Sequence, residues 1–123
     1  MKKLIIALLL VISLTGCFIN KEALLKDNMK HAEYAVNYFY AANKEICPKN
    51  DQDMLNVMIE IPQDIDNPYL PLEKVVIFGK EDISFSESLI GKVYIQYFEK
   101  ENKTLIFGIT DKAILDTFIQ IGK

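Results

Sequence analysis

The chain of 123 residues contains no arginine, no tryptophan and a single histidine, His31. Arginine binds phosphate and carboxylate groups through two parallel hydrogen bonds, so its absence disfavours phosphoryl-transfer sites and pockets for acidic ligands. One histidine and two cysteines fall short of the four ligands of a usual zinc site. The sequence also lacks a glycine-rich phosphate loop and the Gly-x-Ser-x-Gly motif of a hydrolase nucleophile. These absences favour a chain that is not an enzyme.

The first residues have the layout of an export signal. Lys2 and Lys3 precede an apolar run of eleven residues, from Leu4 to Leu14, that only Ser13 interrupts. A helix needs about 20 apolar residues to span a bilayer, so this run is too short for a permanent membrane helix. A basic start followed by a short apolar segment is typical of a secretory signal peptide.

The end of the apolar run resembles the lipobox of bacterial lipoproteins. Leu14-Thr15-Gly16-Cys17 has the aliphatic residue, the two small residues and the cysteine of that motif. The resemblance implies cleavage between Gly16 and Cys17, a diacylglycerol on the Cys17 sulfur and an acyl chain such as palmitate on its new amine. It also implies a protein held on the exported side of the cell membrane or of the outer membrane. Residues 1–16 are then the signal peptide, 17–20 the lipidated N-terminus and 21–123 one domain.

Length and charge limit what the mature chain can bind. Cleavage leaves 107 residues, which are enough for one hydrophobic core but not for two. Loss of Lys2 and Lys3 leaves 12 lysines against 17 acidic residues, a net charge of −5. This charge disfavours binding to nucleic acid and to anionic lipid headgroups. With Cys17 lipidated, Cys47 is the remaining thiol; we interpret it as a partly buried small side chain, with a disulfide-linked dimer as the alternative.

The mature chain begins with a predicted amphipathic helix over residues 21–43. Asn20 is a suitable N-cap, and apolar side chains recur every three or four residues along one face. Tyr34, Tyr38 and Tyr40 lie beside this face. We interpret them as core residues whose hydroxyls reach the rim, with a ligand- or partner-binding surface as the alternative. The predicted core-facing residues are Leu25, Met29, Ala32, Val36 and Phe39.

The rest of the chain is predicted to form an antiparallel sheet and a short C-terminal helix. The clearest strands are residues 92–98 and 104–110, whose alternating side chains and charged connection indicate a hairpin. Asp111 as N-cap, the apolar residues of 113–119 and a terminal Gly122 predict the helix. The fold class is therefore α+β: an N-terminal helix, an antiparallel sheet of three to five strands and a C-terminal helix. Weaker strand patterns cover residues 57–61, 74–78 and 83–86.

Three kinds of function remain open, and we assign no catalytic, cofactor-binding or metal-binding residue. The first is an accessory module that binds an envelope protein through an apolar patch around Tyr69-Leu70-Pro71-Leu72. The second is a small cell-wall hydrolase or metal-dependent enzyme, which requires His31 and several carboxylates to converge in one cleft. The third is capture of a small apolar ligand between helix and sheet. The carboxylates concerned are Glu60, Asp64 and Asp66.

Two further motifs have a structural interpretation beside a functional one. The pairs Asp51/Asp53 and Asp64/Asp66 offer carboxylates for calcium, but they lack the ligand spacing and the glycine of an EF-hand loop. We interpret both pairs as solvated turns. Asn102-Lys103-Thr104 matches a glycosylation sequon, which carries little weight in a chain that resembles a bacterial lipoprotein.

Replacement of Cys17 tests the predicted anchor. Each buried CH₂ contributes about 0.8 kcal/mol to membrane binding, so two or three acyl chains hold a protein on the membrane permanently. We expect the Cys17→Ser chain to incorporate no labelled palmitate and to leave the membrane fraction on an alkaline wash. Ser13→Ala, which keeps the cysteine, should be labelled like the native chain. Equal retention of Cys17→Ser and native protein after the wash would contradict the anchor.

Overall fold

The computed structural model describes residues 20–50, 52–53, 66–70 and 75–122. The signal peptide, Cys17 and the predicted strand 57–61 lie outside these residues. Within them, one helix packs on one face of a four-stranded sheet, which confirms the α+β fold class. None of the described helical segments combines the length and the apolar character that crossing a bilayer requires.

Helix α1 runs from Lys21 to Ala42 and confirms the predicted N-terminal helix. The side-chain oxygen of Asn20 accepts a hydrogen bond from the backbone N–H of Ala23 at 3.1 Å, as an N-cap does. At the other end, the side-chain amide and the backbone N–H of Asn43 both donate to the carbonyl of Phe39. The predicted core-facing residues are all buried: Leu25, Met29, Ala32, Val36 and Phe39.

The sheet has the strand order β1-β2-β3-β4. β2 and β3 form the predicted hairpin, and β3 pairs antiparallel with β4. β1 pairs parallel with β2, so the prediction of a wholly antiparallel sheet is wrong at this edge. A parallel pair needs a crossover of about a dozen residues, which residues 80–92 provide here. The strands are β1, Val76–Gly79; β2, Val93–Phe98; β3, Lys103–Gly108; and β4, Ile119–Gly122.

The crossover includes residues 83–86, which the sequence pattern predicts as a strand. Residues 83–86 pair with none of the described strands, and a single 3₁₀ turn over Glu87–Leu89 follows them. The crossover is fixed instead by side chains of β2. The Tyr94 hydroxyl donates to the carbonyl of Glu81 at 3.0 Å, and the Gln96 amide donates to the Asp82 carboxylate at 3.0 Å. Tertiary contacts therefore override the local alternation of apolar and polar residues.

The predicted C-terminal helix is wrong: residues 111–118 form bends with one isolated bridge, from Ile114 to Ile109, and the edge strand β4 begins at Ile119. Ile119 and Ile121 face the core from β4 while Gln120 is exposed, which is the two-residue period of a strand. Before β4, the Thr110 hydroxyl accepts hydrogen bonds from the backbone N–H groups of Lys112 and Ala113. The residue that accepts local N–H groups is therefore Thr110 and not Asp111, the predicted N-cap. Gly122, expected to end a helix, instead lies within β4 at φ +89°.

β3 passes close beneath α1 at Gly108. A Cβ atom at this position would lie 2.7 Å from the Met29 sulfur and 3.1 Å from Cγ of Leu25. A contact under 3.0 Å essentially never occurs and one of 3.1 Å is tighter than most, so a side chain here would force Met29 and Leu25 to shift. The absence of a side chain at Gly108 therefore permits the close approach of helix and sheet.

A methyl group at Gly108 should therefore push α1 away from the sheet. We expect Gly108→Ala to lower the free energy of unfolding by about 1–3 kcal/mol, the usual cost of overpacking a core. Urea unfolding of the unlipidated mature chain measures this change. Met29→Ala removes the sulfur atom nearest to the added methyl group. In this background Gly108→Ala should therefore lower the free energy of unfolding by less than it does in the native chain. Equal costs in both backgrounds would show that the helix does not rest on this position.

Candidate interaction surface

The residues proposed for a hydrolytic or metal site do not form one in the described part of the chain. His31 and Asp66 are both exposed, and the carbonyl of Asp66 accepts a hydrogen bond from the Asn28 amide at 3.0 Å. Glu60 and Asp64 lie outside the described residues. Within residues 20–50, 52–53, 66–70 and 75–122, no three His, Cys, Asp or Glu side chains converge as metal ligands would.

The acidic pair at Asp51 and Asp53 is described only at its second member. The Asp53 carboxylate accepts the backbone N–H of Lys49 at 2.8 Å, and the Asn50 side chain accepts the backbone N–H of Asp53 at 2.9 Å. These bonds close a local turn and use the Asp53 side chain in it. Asp51 lies outside the described residues.

The predicted sequon residue Asn102 has a structural role. It adopts a left-handed conformation at φ +47° in the β2–β3 loop, which asparagine tolerates better than most residues. Its amide donates to the carbonyl of Glu45 at 2.7 Å, and its side-chain oxygen accepts the backbone N–H of Cys47 at 3.0 Å. Thr104, the third residue of the sequon, is fully buried. Asn102 thus ties the segment after α1 to the hairpin loop.

Cys47 lies inside this junction with 1 % of its surface exposed. Its thiol faces the carbonyls of Asn102 and Ile121 at 3.6 and 3.9 Å. Burial raises the pKa of the Cys47 thiol, and the nearby Thr104 hydroxyl opposes this shift. That hydroxyl is buried and has no hydrogen bond of normal geometry among the described residues. A disulfide to another chain would require the junction to open first.

The two described residues of the patch predicted around Tyr69-Leu70-Pro71-Leu72 are only partly exposed. Tyr69 and Leu70 are partly buried, and Tyr69 packs against the core. The amine of Lys21 lies 5.7 Å from the centre of the Tyr69 ring. Burial raises the pKa of the Tyr69 hydroxyl, and the charges of Asp111 and Glu22 raise it further. Pro71 and Leu72 lie outside the described residues.

Tyr69 contributes to an open groove of about 430 Å³ near the start of α1. The groove combines the carboxylates of Glu22, Asp111 and Asp116 with the amine of Lys112. It is therefore polar and mainly acidic, which does not suit an apolar ligand or an anionic lipid headgroup. Its nearness to Asn20 places it at the end of the domain that carries the predicted anchor.

The exposed aromatic surface lies elsewhere, on α1. Tyr34 is 73 % exposed and Tyr38 is 53 % exposed, whereas Tyr40 is half-buried and packs against the core. The interpretation of Tyr34 and Tyr38 as core residues is therefore wrong. Their exposure instead favours the alternative interpretation, in which they form a binding surface. The helix has no need of these rings for packing on the sheet, because the opposite side of α1 supplies that contact.

Helix geometry places Tyr34 directly away from the core. It follows Ala32 by two residues and precedes Val36 by two, and two residues turn a helix by about 200°. Since Ala32 and Val36 are buried, the Tyr34 ring leaves the helix on the far side. We call this side the outer face of α1. Its residues, all exposed, are Leu24, Asp27, Lys30, His31, Tyr34, Asn37, Tyr38 and Ala41.

The outer face is not flat. Beside the Tyr34 ring lies a shallow depression of about 360 Å³, lined by Lys30, Glu33, Tyr34 and Asn37. An exposed aromatic ring next to a depression with polar edges has the make-up of a protein contact site, in which an aromatic anchor is surrounded by a polar rim.

Aromatic residues on the outer side of the sheet make contacts within the chain. The rings of Phe107 and Phe118 are 5.6 Å apart at a tilt of 42°. The amine of Lys103 lies 4.8 Å from the centre of the Phe98 ring. The rings of Phe98, Phe107 and Phe118 therefore each have a ring or an amine of the same chain as a neighbour. Among the described residues, no ring or cation contact of this kind is found for Tyr34 or Tyr38.

Sequence reasoning missed the asparagines that fix the irregular segments. Asn67 is buried: its amide donates to the carbonyl of Ile90, and its oxygen accepts the backbone N–H groups of Tyr69 and Leu70, each at 2.9 Å. The Asn67-Pro68 pair was an available signal, because such a pair often starts a turn. No comparable signal marks Asn28 as a helix residue that binds a loop.

The raised pKa and the burial of Cys47 predict slow thiol chemistry. At pH 8 the folded mature chain with Cys17→Ser, in which Cys47 is the remaining thiol, should react with a thiol reagent such as DTNB far more slowly than the same chain unfolded in urea. A raised pKa leaves less of the reactive thiolate at a given pH, and burial blocks access. Asn102→Ala, which removes two bonds that hold the junction, should speed the reaction. An equal rate before and after unfolding would contradict the closed junction.

No protein-family model, no curated protein and no solved structure matches this chain at a significant level.

Proposed function

We propose that the mature chain is a lipid-anchored envelope protein, without a catalytic centre, that binds another protein through the outer face of α1. The observation that carries this proposal is the exposure of Tyr34 on the side of the helix farthest from the core. A surface helix usually presents polar residues to solvent. Two exposed tyrosines one turn apart depart from that pattern at the centre of the outer face.

Tyrosine supplies much of the binding energy where proteins meet. A Tyr ring can bury about 150–250 Å² and still keep a hydroxyl for hydrogen bonding. At about 25 cal/mol per Å² of apolar surface, covering two such rings contributes several kcal/mol before the cost of association. Lys30, Glu33 and Asn37 provide the hydrogen-bonding edge around Tyr34. The arrangement therefore favours a protein partner of mixed polarity.

A lipid bilayer fits the outer face less well than a protein does. Asp27 is exposed on this face, and Glu33 lines the depression beside Tyr34. Two carboxylates next to the tyrosines would face anionic headgroups at close range, and the mature chain already carries a net charge of −5. The lipid on Cys17 supplies membrane attachment without help from this face.

The predicted anchor keeps the outer face close to the membrane surface. Cys17 is three residues from Asn20, and three residues reach at most about 10 Å. Tyr34 lies about 21 Å further along α1 at 1.5 Å per residue. A partner that contacts Tyr34 therefore lies at the envelope membrane, whichever membrane holds the lipid.

The other two functions have less support. For the hydrolase, Glu60 and Asp64 lie outside the described residues, and the described candidates His31 and Asp66 are exposed. For the apolar ligand, the helix–sheet interface has no room for a methyl group at Gly108. No specific observation favours either function over a protein contact.

A photo-activated cross-linker placed at Tyr34 of the lipidated chain in intact cells tests the proposed function. We expect one defined cross-linked product that is missing when the cross-linker replaces Phe85, which is 43 % exposed and lies in the crossover between β1 and β2. The Tyr34→Ala, Tyr38→Ala double variant should bind the partner at least about 2 kcal/mol more weakly, as loss of an aromatic hot spot does. Its free energy of unfolding should change by less than about 0.5 kcal/mol, since both side chains are exposed. No product, or the same product from both positions, would overturn the proposal.

A further inference from the structure

We propose that the outer face of α1 binds a second copy of this chain, whose own α1 packs against it in the antiparallel direction. This inference rests on the proposed function, because it names the partner of the same surface. It requires that the outer face can pack against itself around a two-fold axis.

The spacing of the outer face is that of a helix-pairing seam. Leu24, His31 and Tyr38 are seven residues apart, and a second row follows each of them by three residues. Helices that pair at about 20° place their contact residues at this a/d spacing, and Leu24, Tyr34, Tyr38 and Ala41 are its apolar and aromatic members here. The sheet does not use this seam, since all six side chains are exposed. The second row consists of Asp27, Tyr34 and Ala41.

An antiparallel register brings unlike and complementary side chains together. With the two-fold axis level with the midpoint between residues 32 and 33, Leu24 faces Ala41 of the second copy, a large residue against a small one. In the same register Asp27 faces Tyr38, so the carboxylate can accept a hydrogen bond from the phenol. Symmetry forms each of these pairs twice.

The centre of the same register is aromatic. His31 faces Tyr34 of the second copy on both sides of the two-fold axis, which buries the two most exposed rings of the helix against imidazole rings. A ring pair of this kind favours offset or edge-to-face contact. The residues most exposed in one chain would thus become the centre of the contact.

Charge disfavours the parallel alternative. Parallel packing would place Asp27 against Asp27, and like charges facing each other across an interface cost several kcal/mol. The antiparallel register separates these carboxylates. Asp27 and Lys30 also balance each other's charge on the outer face, so it repels its copy less than the acidic remainder of the chain would.

The anchor is compatible with this pair and fixes how it lies. α1 has 22 residues and is about 33 Å long, so antiparallel helices start at opposite ends of the pair. Both tethers of about 10 Å reach one membrane only when the helices lie along its plane, with the two-fold axis along the membrane normal. Confinement to the membrane raises the effective concentration of the copies, so a small contact between helices suffices.

Cysteine cross-linking between two versions of the full lipidated chain tests the register. One version carries Asp27→Cys and the other Tyr38→Cys, both at exposed positions, and both are made in the same cells or reconstituted into the same vesicles. We expect a disulfide-linked dimer when the two versions are mixed and little dimer from either version alone. Phe85→Cys, mixed with Tyr38→Cys, is the control for random collision, because Phe85 is similarly exposed but lies in the crossover between β1 and β2 and not on α1.

Each other outcome is decisive. Dimer from Asp27→Cys alone would show parallel packing and overturn the register. Equal dimer in the Phe85→Cys control would show collision only. Absence of dimer together with a cross-link from Tyr34 to a different protein would overturn self-association and leave the proposed function standing. Absence of both products would overturn both.

Discussion

The close contact between α1 and β3 at Gly108 is the constraint on which the rest of the structure depends. It lets Leu25 and Met29 lie directly on the sheet, and the buried stripe of α1 then continues to Phe39 over the same face. Because one side of the helix is fully used in this way, the opposite side is committed to solvent or to a partner. The exposure of Tyr34 is thus a consequence of where the helix must point its apolar stripe.

Asparagine side chains hold the irregular segments around this two-layer core. Asn28 joins α1 to the segment at Asp66, Asn67 joins that segment to Ile90, and Asn102 joins the hairpin loop to the chain after α1. Each side chain replaces the backbone hydrogen bonds that a loop cannot make with itself. The side-chain oxygen of Asn102 also accepts the backbone N–H of the buried Cys47, which connects loop closure with the low reactivity expected of the thiol.

The two ends and the two sides of α1 have different roles. Its start is capped by Asn20, three residues after the predicted lipid site at Cys17. Its inner side builds the core, and its outer face presents Tyr34 and Tyr38. A single helix thereby links the core of the fold with two proposals, the lipid attachment and the contact with another protein or with a second copy of this chain.

The sequence by itself determined the N-terminal helix, its cap and its buried stripe, and also the β2–β3 hairpin, because these depend on periodicity and on contacts between near neighbours. It also carries the lipobox resemblance at Cys17, which the described residues do not include. Tertiary structure alone decided the parallel pairing of β1, the use of residues 119–122 as a strand and the outward direction of Tyr34. Apolar residues at 114, 115, 118 and 119 fit a helix locally, but residues 119–122 pair with β3 as an edge strand, which buries Ile121. Local pattern cannot rank such alternatives, since the deciding contacts join residues distant in the chain.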